Sequence, residues 1–162
     1  MATNPILGID VYVALAAVGW ADGQLTREAA DAILRTASEE GLDIAALAKI
    51  EEAVQNPVEL GVVDRMNMSK SDRLYVYAVA SWIAAIDGPA SEAAQQALAQ
   101  LGEALGVPDA PRRHADEIMH EVASQDHRPE RFDLKVLRVT LDERLEAARQ
   151  ARLAQLSSDE HE

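Results

Sequence analysis

Apolar residues recur at helical spacing along almost the whole chain, and two stretches, residues 11–21 and 74–86, are apolar on nearly every side. Ala, Leu, Glu, Gln and Arg fill the segments, and no stretch alternates in the manner of a strand. The pattern predicts an all-α chain, a bundle of about seven helices. The first helix is expected over about 5–20, behind the cap candidate Asn4. The second starts after Thr26 and runs to Glu40, where Gly41 supplies a left-handed stop. Asp43 caps a third helix that ends near Gln55, because Asn56-Pro57 breaks it. Residues 58–66 are ambiguous and admit at most one short helix. Ser69 with Asp72 then reads as a capping box that opens a helix over 70–86. Its partner spans 91–105 and stops at Gly106, and a further helix occupies 109–124. The last, over 133–156, keeps Leu134, Leu137, Leu141 and Leu145 in one stripe. The tail 157–162 is expected to fray.

The chain also repeats itself. At an offset of 65, Tyr12 falls on Tyr77, Val18 on Ile83, Asp22-Gly23 on Asp87-Gly88, Thr26 on Ser91 and Ile33 on Leu98. This predicts an internal duplication of a helix, Asp-Gly loop, helix hairpin with pseudo-twofold symmetry. Repeat one covers about 5–55 and repeat two about 70–124, within a single domain over 1–162. The small residues of the two apolar helices allow their backbones to approach closely.

Composition narrows the functional classes. With 162 residues, 48% of them apolar, the chain has enough material for a sizeable core. Cysteine is absent, which excludes disulfides, thiolate metal sites and cysteine nucleophiles. A net charge of -13 argues against a nucleic-acid partner. Neither apolar stretch reaches the ~20 residues of a membrane span. The opening MATNPILGID carries no basic leader, so a cytoplasmic location is expected. Signatures of hydrolases, zincins and phosphate-binding loops are missing, and no enzymatic activity is expected.

The corner Trp20-Ala21-Asp22-Gly23-Gln24-Leu25-Thr26-Arg27-Glu28 resembles the TerB-like family of tellurite-resistance proteins. The corner Ile86-Asp87-Gly88-Pro89-Ala90-Ser91-Glu92 resembles the family's second copy of the motif. The likeness covers most of residues 5–125. It implies an all-α bundle with pseudo-twofold symmetry, a non-enzymatic role in tellurite resistance or stress response, and acidic residues that bind a divalent cation. By position those residues are Asp22 and Glu28 in the first motif and Asp87 in the second. Glu92 stands one place before the equivalent of Glu28, which is Ala93, so any ion site is expected to be asymmetric.

The residues themselves leave two readings of the corners. An aspartate near a helix C-terminus meets the unfavourable end of the macrodipole, at roughly 0.3–1 kcal/mol. A bound cation offsets that cost, and so does a turn in which the carboxylate accepts backbone N–H groups. An EF-hand loop is excluded, because Val18, Trp20 and Ala29 stand where ligands are needed. His114, Glu117 and His120 follow at three-residue intervals and present either a transition-metal face or a solvated polar one. The alternative function is a helical scaffold or adaptor whose last helix meets a protein partner or a second copy of the chain.

Overall fold

The computed structural model describes residues 8–159 except 62, 64, 67, 87, 127 and 129–131. Among the described residues there are seven α-helices and no strand. They are α1 (Ile9–Trp20), α2 (Arg27–Glu39), α3 (Ile44–Gln55), α4 (Lys70–Ala85), α5 (Glu92–Leu105), α6 (Asp109–Ala123) and α7 (Leu134–Asp159).

Local chemistry sets most of the boundaries. Thr26, Asp43 and Ser91 each accept a backbone N–H three residues on, from Ala29, Ala46 and Ala94. Ser69 and Asp72 form the reciprocal capping box at α4, and Asp133 accepts from Val136 at the start of α7. The α2 and α5 exits are one design. Gly41 and Gly106 take positive φ, 86° and 71°, and the next N–H bonds back across the turn, Leu42 to Ala37 and Val107 to Gly102.

Two boundaries differ from expectation, and one ambiguous stretch takes a definite form. α1 starts at Ile9, with extended Gly8 as its cap and Asp10 in its first turn; Asn4 and Pro5 lie outside the described residues. Glycine is a poor helix interior, costing about 1 kcal/mol against alanine, so the helix begins after it. The stretch 58–66 has no helix among its described residues. α7 continues through Ser157 and Ser158 to Asp159, past the expected end at Leu156, while residues 160–162 lie outside the description.

α1 and α4 cross at the centre and pack against each other. Around α1 lie α2, α3 and α5; around α4 lie α2, α5, α6 and α7. Tyr12 and Leu15 of α1 and Val76 and Ile83 of α4 are buried in one core, each contributing about 1.5–3 kcal/mol before ordering entropy is subtracted. No described helix is long and apolar enough to cross a membrane.

α7 packs chiefly on α4 and α6 and is held by a part-buried ion pair between Arg138 and Asp72. The Arg138 guanidinium also lies 4.9 Å from the centre of the Tyr75 ring. Burial pushes the Asp72 carboxyl up, but the hydrogen bonds from Arg138 and Ser69 outweigh it and hold the group below its usual range. Beyond Leu145, α7 leaves the bundle: every side chain from Glu146 to Ser157 is exposed.

Candidate functional site

The first Asp-Gly corner closes on its own backbone. After α1, the Ala21 N–H bonds to the Val18 carbonyl at 3.2 Å and the Gly23 N–H to the Trp20 carbonyl at 2.8 Å. Gly23 has φ 91°, a conformation that glycine adopts without a side-chain penalty. Asp22 Oδ1 accepts the Gln24 N–H at 3.1 Å, the Asx turn that relieves a carboxylate at a helix C-terminus. Asp22 and Glu28 are both exposed, with Glu28 in the first turn of α2, where the macrodipole favours an acid.

The second corner repeats the two backbone bonds 65 positions later, but Pro89, at the place of Gln24, has no N–H to donate. Ile86 N–H reaches Ile83 at 3.5 Å and Gly88 N–H reaches Ala85 at 3.3 Å, with Gly88 at φ 129°. Asp87 lies outside the described residues. Glu92 is exposed in the first turn of α5. Among the described residues no three acidic or imidazole side chains come together as a metal site. His114 pairs with Glu117 at 3.8 Å and His120 with Asp116 at 3.5 Å, all four on solvent-facing parts of α6, so the His114, Glu117, His120 triplet does not converge.

Comparison with protein-family models, curated proteins and solved structures finds no match to this chain. The candidate site therefore rests on geometry.

That geometry is unequal at the two corners. Beside the second lies an open cleft of about 690 Å³ between α4, α5 and α6, bordered by Tyr77, Ala85, Gly88, Ala90, Arg112 and His120. At the first corner, the residues 65 places before Ala85 and Ala90 are Trp20 and Leu25. The Trp20 indole donates Nε1–H to the Ala53 carbonyl at 2.9 Å, tying α1 to α3, and Leu25 presses on Gly19 so closely that a methyl there has no room. Trp20 and Leu25 fill at the first corner what Ala85 and Ala90 leave open at the second.

The cleft lining is mainly apolar and carries charges of both signs. Burial pushes the Tyr77 hydroxyl up, against a smaller lowering by Arg112, so it stays a protonated donor at neutral pH. Arg112 is anchored, Nε donating to the Val107 carbonyl at 2.6 Å. Arg113, Asp116 and Glu117 add charges of both signs along the α6 wall. Sequence reasoning fixed on the carboxylates and missed the cleft, although the size mismatch at the aligned Trp20/Ala85 and Leu25/Ala90 positions carries its signal.

Proposed function

We propose that this chain is a non-enzymatic, TerB-like binding module made of a duplicated three-helix unit. The recurrence of corner, cap and exit hydrogen bonds at a constant 65-residue offset supports the duplication. The duplicated unit is α1–α2–α3 in the first half and α4–α5–α6 in the second, with α7 added once.

On this reading the two corner regions serve ligand binding in a cytoplasmic stress response, of which tellurite resistance is the family's example. Asp22, with one oxygen engaged in its own loop, shares the first corner with Glu28, and the pair offers exposed carboxylate oxygens suited to a hard divalent cation. Asp87 and Glu92 are the second-corner candidates. Calorimetric titration with calcium, magnesium, manganese and zinc is expected to give saturable binding that Asp22→Ala, Glu28→Ala and Asp87→Ala weaken. Binding indifferent to all three substitutions, or none, removes the cation from the proposal.

One observation favours a second reading, an adaptor. The exposed arm of α7 carries Leu153 and Leu156, 49% and 62% exposed, in a helical segment with no bundle support. Helices of this length are marginal alone, so a partner covering the arm would stabilise it. A mass above the monomer in sedimentation, lost on removing residues 146–162, is the expected signature; a monomeric full chain that retains no partner opposes it.

A further inference from the structure

A second cavity lies at the other side of α6, where α7 departs from the bundle. This groove of about 720 Å³ runs between the start of α4, the α5–α6 junction and α7. Its floor is apolar, with Leu74, Val107, Ile118, Leu141 and Leu145 among the lining residues. Along α7 it extends from Leu141 to Arg152, about 16 Å at the helical rise.

The rim is unlike the rest of the molecule. Lys70, Arg73, His114, Arg144 and Arg152 border the groove, and no acidic residue lines it, in a chain whose net charge is -13. Arg144 is partly neutralised by Glu121 at 3.0 Å, and His114 lies 3.8 Å from Glu117. Lys70, Arg73 and Arg152 make no ion pair with a carboxylate among the described residues. Arg73 donates to the Arg65 carbonyl at 3.2 Å, yet its Nε is buried without a hydrogen-bond partner.

We infer that this groove binds a single-chain amphiphile with an anionic head, of the long-chain carboxylate class. The volume falls within the about 300–1,000 Å³ typical of small-molecule sites. An apolar trough suits the hydrocarbon chain, and the cationic rim suits the carboxylate. A second copy of this chain fits less well, since its α7 arm would bring Arg149 and Arg152 against the same basic rim. The groove shares no residue with the Asp-Gly corners, so this inference stands or falls separately from the cation reading.

The test uses the full chain and dodecanoate below its micellar concentration. Calorimetry is expected to show saturable one-to-one binding, about tenfold weaker for each two carbons removed from the chain. Dodecyltrimethylammonium, with the same tail and a cationic head, is expected not to bind. Charge reversal by Lys70→Glu with Arg152→Glu alters two exposed positions and places an acid at the favourable end of α4, so folding is retained while affinity falls at least tenfold. Ala148→Trp, at an exposed lining position, fills the groove and blocks binding. The inference is overturned if dodecanoate does not bind, if the ammonium analogue binds equally, or if the charge reversal and Ala148→Trp both leave affinity unchanged. Sedimentation with phosphatidylglycerol vesicles at the expense of free dodecanoate binding overturns it in favour of a membrane surface.

Discussion

Replacing Arg138 by methionine tests the electrostatic account of how α7 is held. The substitution keeps most of the stem against Tyr75 but removes the guanidinium, leaving Asp72, 4% exposed, without its opposite charge. Stranding a buried charge typically costs about 3–5 kcal/mol. Two features reduce this: Asp72 retains the Ser69 N–H at 2.9 Å, and the Arg138 side chain is 30% exposed, so water can reach the vacated space. The expected loss is about 2–3 kcal/mol at neutral pH, or about 5–10 °C in Tm for a chain of this size.

The pH dependence carries the sharper discrimination. With Arg138 present, the folded Asp72 value lies below the unfolded one; the group stabilises the fold above the unfolded value, and that contribution is lost as pH falls through the folded value. In Arg138→Met, burial dominates and raises the folded value. The penalty then holds at neutral pH and is relieved as pH falls through the raised value towards the unfolded one. Urea denaturation from pH 7 down to about pH 4 is expected to show the gap between the two proteins narrowing. A gap under about 0.5 kcal/mol at pH 7, the scatter of ordinary surface substitutions, or one that widens on acidification, refutes the reasoning.

Two further substitutions separate backbone strain from crowding, and two compare the halves. Gly41→Ala, at φ 86° with open space around the added methyl, is expected to cost about 1–2 kcal/mol in urea unfolding; Gly106→Ala, at φ 71°, is expected to cost about the same, because the methyl there crowds only the end of the exposed, flexible Arg65 side chain, which can swing away. A much larger loss at Gly106 would contradict this. Trp20→Phe removes the indole donor and leaves the Ala53 carbonyl without it, at a cost of about 1 kcal/mol by thermal unfolding. Ala85→Trp fills the open cleft beside the second corner and is expected to cost less than about 1 kcal/mol, since the ring enters empty space instead of displacing packed atoms. A larger loss means that the cleft does not accept the shape that Trp20 fills at the first corner.

What the sequence made legible was local. Thr26, Asp43, Ser69 and Ser91 announce helix starts because each carries its own acceptor for the orphan N–H groups, and Gly41 and Gly106 announce stops because the chain there needs positive φ. Both sides of each such signal lie within six residues. The Arg138–Asp72 pair joins positions 66 apart, and nothing near either residue encodes it. The α7 arm shows a related limit: its leucine spacing continues to Leu156, but spacing cannot say where the supporting surface ends. At the first corner the Asp22 carboxylate drew attention as a ligand, and its bond to Gln24 supplies the local compensation that the turn chemistry also allowed. The cleft depended on comparing side-chain volumes between the halves, which a search for ligating residues does not do.

The two tryptophans give the molecule a built-in pair of optical reporters. Trp20 sits half-exposed at the α1–α3 contact with its indole hydrogen-bonded, whereas Trp82 is buried and stacked on Phe132 with ring centres 4.2 Å apart and planes 15° from parallel. Their emission should differ in colour, the Trp20 band lying to the red. A single fluorescence unfolding curve, resolved by wavelength, can therefore record whether the first half loosens before the half that α7 braces, without any label being attached.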